Sequence, residues 1–254
     1  MASAQVPRIF SPRRRALRLA RAFARQQREG AARFVWEDMA GEMVERLAFV
    51  RHEPARPLVV GPCPAPLSDY LGQSAGRIAD GNAIDLESPW PESGFDFIAV
   101  LGLLDAVNDL PGALIHLRNA LAPGGLVIAS FVGGQSLAAL RAAVLAAEPD
   151  RPAARMHPLV DHRAAPGLLQ RAGWKDPVVD TQALSLRYSA LDTLVSDLRD
   201  QGLGSALADA APPLGRAARE RARAAFLELA DADGKVPERI EIVTLTGRRS
   251  LAGT

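Results

Sequence analysis

The sequence predicts a doubly wound α/β fold with a mostly parallel sheet, and three neighbouring observations predict it. Phe95-Asp96-Phe97-Ile98-Ala99-Val100-Leu101 is a short continuous apolar run, the pattern of a strand buried on both faces. Behind the cap-type side chains of Asn108-Asp109 and the first-turn Pro111, Leu110, Leu114, Leu117 and Leu121 recur at three- and four-residue steps, which makes a helix with one apolar stripe. Ala122-Pro123-Gly124-Gly125 stops that helix, and Leu126-Val127-Ile128-Ala129-Ser130-Phe131 reads as a second buried strand. Strand, crossover helix and strand form a βαβ unit, hence a parallel sheet with helices on its faces.

Taken in order, the chain opens with Arg8, Arg13, Arg14, Arg15, Arg18, Arg21, Arg25 and Arg28, all ahead of the first acid, Glu29. Leu17, Ala20, Phe23 and Ala24 give this stretch a weak helical stripe. It fits a solvated helix packed on the domain, a surface for an acidic partner or nucleic acid, or an Arg-rich targeting segment. A second helix is expected from about Arg33 to Phe49, with Phe34, Met39, Met43, Leu47 and Val50 inward. Residues 1–50 thus read as a helical arm and 51–254 as the α/β domain. Leu58-Val59-Val60 is the first strand, and Gly61-Pro62-Cys63-Pro64-Ala65-Pro66 is the loop after it, where an open α/β sheet binds ligands. Arg77-Ile78-Ala79-Asp80 and Asn82-Ala83-Ile84-Asp85-Leu86 are short strand candidates.

Beyond the central unit, Gly133-Gly134 turns into an alanine-rich helix from Leu137 to Ala147, and Ala164 to Ala172 is a short helix closed by Gly173. Val178-Val179-Asp180 and Leu184 to Tyr188 read as strands. A helical insertion around 190–230 holds Leu191 to Leu198 and Leu214 to Leu229, and Ile240 to Leu245 is a closing strand, antiparallel to the others.

The composition is that of an ordinary globular chain. In 254 residues, 48% are hydrophobic and 23% charged, enough for a full core. A net charge of +1 gives no global reason to expect nucleic acid or membrane as the main partner. The lone Cys63 excludes an intrachain disulfide and a cysteine-rich metal site, and no apolar run is long enough to span a bilayer.

These elements, with Phe95-Asp96 opening a strand and Leu121-Ala122-Pro123-Gly124-Gly125 before the next, resemble the class I S-adenosylmethionine-dependent methyltransferases, a Rossmann-like superfamily. Val107-Asn108-Asp109-Leu110-Pro111, His157-Pro158-Leu159-Val160-Asp161, Leu168 to Trp174, Asp197-Leu198-Arg199 and Leu245-Thr246-Gly247 narrow the resemblance to one branch. That branch holds the respiratory complex I assembly factor that hydroxylates a protein arginine and, more distantly, the malonyl-carrier-protein methyltransferase of biotin synthesis. The resemblance implies S-adenosylmethionine as cofactor, no metal, a protein partner such as a complex I subunit, and a bacterial cytoplasm or mitochondrial matrix as setting. It places cofactor contacts at Gly61, Cys63, Ala65, Asp80, Asp85, Leu86, Leu101 and Gly102; no catalytic residue is assigned.

The cofactor loop departs from the family pattern, acid-apolar-Gly-x-Gly-x-Gly. Val59 replaces the acid, and Cys63 and Ala65 stand where glycines belong. Pro62, Pro64 and Pro66 have no N–H to offer a carboxylate. Only roughly 35 residues separate Gly61 from Asp96, too few for the usual helix–strand–helix–strand, so one strand or helix is expected to be missing or shrunken. Where relatives carry His-Trp, this chain has Asp105-Ala106. A degenerate cofactor site is therefore expected. His157 and His162 flank Asp161 but lack a third metal ligand; His116, Trp36, Trp90 and Trp174 read as packing or surface residues, and Asp96 as a local hydrogen-bond acceptor.

Overall fold

The structure, a computed structural model, describes residues 8–72, 75–78, 85–150 and 152–251. Its elements run α1 (Pro12–Gln26), α2 (Phe34–Phe49), β1 (Pro57–Val60), α3 (Ala65–Leu71), β2 (Gly76–Ile78), β3 (Phe95–Leu101), α4 (Leu110–Ala120) and β4 (Leu121–Val132). They continue with α5 (Ala138–Ala147), α6 (Ala165–Arg171), β5 (Lys175–Tyr188), α7 (Leu191–Asp200), α8 (Arg216–Leu227) and β6 (Val236–Arg248). The sheet order is β2-β1-β3-β4-β6-β5. The first four strands are mutually parallel, and β6 enters antiparallel between β4 and β5.

The two-residue period of a strand explains the three-layer build. Val59, Phe97, Ala99, Leu101, Leu126 and Ile128 face one layer, which α2, α3, α5, α7 and α8 cover with residues such as Met39, Met43, Leu67, Leu194 and Phe226. Leu58, Val60, Ile98, Val100, Val127 and Ala129 face the other, covered by α4 and α6 through Leu114, Leu117 and Leu169. Both faces are buried, which is why these strands read as unbroken apolar runs. The crossover helix is capped as its sequence predicts: the Asp109 carboxylate accepts from the Gly112 N–H at 2.9 Å.

Several boundaries differ from the expected ones. Strand β4 begins at Leu121, so Leu121 pairs with Phe95 and the Pro-Gly-Gly stretch is an irregular strand start. At Gly125 a Cβ would come within 2.9 Å of the Ala122 and Phe95 carbonyl oxygens, so only glycine lets the chain pass there. The two expected strands after α6 are one 14-residue strand, β5, because it pairs with β6 over nearly its full length. Val50 follows α2 and is 37% exposed, not inward. Asp85 and Leu86 lie outside any strand, whereas Asn82, Ala83 and Ile84 lie outside the described residues. Among the described residues, three-residue β2 is the one strand between β1 and β3 in the chain, and no helix is long and apolar enough to cross a membrane.

The β4–β6 contact carries a buried polar pair, Ser130 Oγ to Thr244 Oγ1 at 2.9 Å, between directly opposed residues. Ser130→Ala should lower stability by about 1–3 kcal/mol, because it strands a buried hydroxyl; adding Thr244→Val should recover much of the loss. Urea unfolding of the three proteins checks this, and equal destabilisation by single and double variants would refute it.

Candidate functional site

At the carboxyl edge of the sheet the chain makes two tight turns, one after β1 and one after β3. Gly61 adopts φ +102°, and a Cβ there would stand 2.5 Å from the Leu101 carbonyl oxygen. Gly102 adopts φ +64° and donates its N–H to Ser130 O at 2.8 Å. Between these turns opens a cavity of about 520 Å³, floored by Val60, Pro62, Gly102 and Leu103. Trp36 of α2, Asp85 and Leu86 form its sides, and Arg15, Arg18 and Leu19 of α1 close it.

α1 is fastened by ion pairs. Arg15 bonds Glu87 and lies 3.9 Å from Asp85. Arg18 donates to both oxygens of Asp105, at 3.0 and 3.2 Å, and to Gly204 O. Arg25 and Arg28 both reach Asp200, at 2.6 and 2.5 Å. The Arg18 and Asp105 side chains are 9% and 2% exposed, so this pair is out of water. Burial by itself would raise the Asp105 pKa; the Arg18 charge, with hydrogen bonds from His157 and Arg18, outweighs it and holds the carboxyl at about 2. His157 completes the cluster, its Nε2 3.4 Å from Asp105 and its ring edge-on to Phe10.

Of the residues the sequence singled out, Asp85, Leu86 and Gly102 line the cavity, whereas Gly61 and Leu101 meet each other next to lining residues without lining it themselves. Cys63 is half-buried and packs on the α2–α3 layer, and Ala65 is exposed at the start of α3; neither lines the cavity. Asp80 lies outside the described residues. Asp96 accepts from the Ala55 and Arg56 N–H groups, as a local acceptor should. Trp174 is a packing residue whose Nε1 donates to Leu114 O, but Trp36 lines the cavity as well as the core. His157 and His162 serve different carboxylates, Asp105 and Glu241, and no group of three metal-type ligands occurs among the described residues. The Arg18–Asp105–His157 cluster was not foreseen. Its one signal was a lone acid inside the apolar stretch Leu103-Leu104-Asp105-Ala106-Val107.

No family model matches the chain. Over 163 residues it is 29% identical to the rat protein named arginine-hydroxylase NDUFAF5, mitochondrial, a match covering 63% of this chain and 48% of that protein. Over 159 residues it is 32% identical to a malonyl-acyl-carrier-protein O-methyltransferase of Halorhodospira halophila, covering 61% and 52%. The chain thus spans about half the length of the curated relatives it matches. Among solved structures, a candidate methyltransferase of Bacillus halodurans matches with a TM-score of 0.50 at 9% identity, covering 83% of this chain and all of that one. The fold is the Rossmann-like class I methyltransferase fold, and the sequence relatives come from the same superfamily.

Arg18→Ala removes the partner that keeps Asp105 ionised in a dry site, and should cost about 3–5 kcal/mol at pH 7. The sign with pH follows. In the parent protein Asp105 has a depressed pKa, so its contribution is present above the unfolded value near 4 and is lost as pH falls toward 2. In the variant burial prevails and the carboxyl resists ionising, so acid relieves it. The gap in unfolding free energy between the two proteins should narrow between pH 7 and pH 3; a constant gap would refute the assignment.

Proposed function

We propose that this chain is a methyltransferase-superfamily protein whose S-adenosylmethionine site is degenerate, and that it acts by binding a protein partner in respiratory complex I assembly. The observation that carries the first half is the chemistry of the cavity lining beside the loop after β1. S-adenosylmethionine brings a sulfonium and an ammonium against a single carboxylate, whereas among the described lining residues Asp85 is the one acid, already within 3.9 Å of Arg15, and Arg13 adds a cation without an ion pair. Val59, where an acid would meet the ammonium, is a fully buried aliphatic side chain. Pro62 borders the cavity and has no N–H with which to hold the carboxylate. The residues present do not fit the cofactor.

The glycine that remains does not argue otherwise. At Gly61 the positive φ and the nearby Leu101 carbonyl oxygen demand glycine whether or not a ligand binds. The second half rests on the sequence resemblance to the assembly-factor branch and on exposed arginines, Arg13 on α1 and Arg216 and Arg219 on α8, which suit a partner with an acidic face. A bacterial cytoplasm or a mitochondrial matrix is the setting that this reading implies.

Titration calorimetry with S-adenosylmethionine tests the first half: binding should be weaker than about 1 mM, or no more than roughly 4 kcal/mol. A micromolar constant would overturn it in favour of an active methyltransferase or arginine hydroxylase. For the second half, deleting the gene should lower complex I content in the host, and a deletion strain with normal complex I would remove the assembly role.

A further inference from the structure

The arginines of α1 are not scattered. Arg14, Arg18, Arg21 and Arg25 follow one another at steps of four, three and four, which puts them on one helix face. That face lines a groove of about 550 Å³, whose other side is Arg199 at the end of α7 with Gly202, Gly204 and Ser205. No acidic residue lines the groove among the described residues. Arg18 and Arg25 are balanced by Asp105 and Asp200. Arg14 donates to a backbone carbonyl, Leu207 O, which leaves its charge uncompensated. Arg21 and Arg199 have no ion pair among the described residues. Arg14, Arg21 and Arg199 thus carry no ion pair among the described residues, although Asp192 on α7 lies near enough to feel the Arg199 charge. Gathered in one groove, the three guanidinium groups match the planar acceptors of a phosphate or carboxylate.

A second cavity, about 300 Å³, adjoins this groove and shares Arg199, Gly204 and Ser205 in its lining. Its character is opposite: Leu137, Leu140, Val144, Leu159, Val195 and Leu203 line it. Apart from the shared Arg199, the charged groups there are already engaged, Asp105 by Arg18 and Arg155 by a two-pronged bond to Glu148 at 2.8 and 2.7 Å. His157 also lines it, its Nε2 directed at Asp105. An apolar space of this kind accepts hydrocarbon without loss of hydrogen bonds.

We propose that groove and cavity together bind an aliphatic molecule that ends in a phosphate or a carboxylate, its head on Arg21 and Arg199 and its chain among the leucines and valines. This goes beyond the partner-binding reading and needs neither S-adenosylmethionine nor a protein partner.

The test is calorimetry on the full chain with octyl phosphate and octanoate, against inorganic phosphate and octanol as head-only and tail-only controls. Burying even part of an octyl chain should make one of the two amphipathic molecules bind at least about tenfold more tightly than either control. Tighter binding of either supports the proposal and identifies its head group. Arg21→Glu with Arg199→Glu should weaken that ligand by at least about tenfold, and added salt should act in the same direction. Val144→Trp, or Leu203→Trp should the first variant melt early, should remove the advantage of the chain while leaving inorganic phosphate unaffected. Absence of binding by both amphipathic molecules, equal affinity for the head-only control, or undiminished affinity in the charge-reversed protein would each overturn the proposal.

Discussion

A guanidinium and a carboxylate taken out of water together hold α1 across the carboxyl edge of the sheet. Asp105 sits in a single 3-10 turn just past β3, where the backbone itself cannot satisfy its charge. Arg18 of α1 supplies the opposite charge, with His157 as a second partner. Pairs of this kind contribute little net stability, because both partners give up hydration, but an unpaired carboxylate in the same place is strongly unfavourable. The pair therefore acts as a register mark for α1, and seating elsewhere along the edge is penalised. Arg18 lines both the cavity at the strand ends and the arginine groove, so this one contact borders each.

The loop after β1 separates shape from chemistry. In the superfamily pattern a glycine-rich turn exposes backbone N–H groups, and an anionic ligand group satisfies them. Here the prolines remove donors in place of exposing them, so the loop leaves fewer backbone groups in need of a partner when nothing is bound. The close passage of Gly61 over Leu101 preserves the turn itself. The cavity beside this turn thus follows from the geometry of the strand ends, whatever chemistry its lining carries.

Much of the fold was legible because the central strands are buried on both faces and the crossover helix is capped by its own sequence. Phe95 to Leu101, the Asp109 cap and the helical stripe of Leu110, Leu114 and Leu117 each carry a local signal that the tertiary structure does not override, whereas Leu121 is drawn into β4 by pairing with Phe95. Strand β5 was read as two pieces because its residues are mostly exposed, so no apolar run marks it; its continuity comes from pairing with β6. The site was less legible for a different reason. Arg18 and Asp105 lie 87 positions apart, and His157 a further 52, so no spacing rule brings them together. His157 drew attention as a neighbour of His162, yet its partner lies across the chain. The place of the cavity, at the turns after β1 and β3, was readable, since the ends of adjacent parallel strands are where such folds bind ligands.

The arginine-rich start shows how far a charge run can mislead when counted in sequence. Before Glu29 the chain carries eight arginines, and a sum over them suggests a strongly basic arm. Four of them, Arg15, Arg18, Arg25 and Arg28, are matched by Glu87, Asp105 and Asp200 of the same chain. Those acids are spread over the α/β domain, which is why the overall charge is near neutral while the run looks extreme. What remains for a ligand or partner is Arg8 ahead of α1 and Arg13, Arg14 and Arg21 on it, joined by Arg199. The two sets differ in how salt acts on them: exposed charges are screened within about 8 Å at physiological ionic strength, whereas the Arg18–Asp105 pair is shielded from mobile ions by burial. Salt can therefore weaken whatever binds the outer arginines without releasing the helix that presents them, which separates the recognition surface from the fold that carries it.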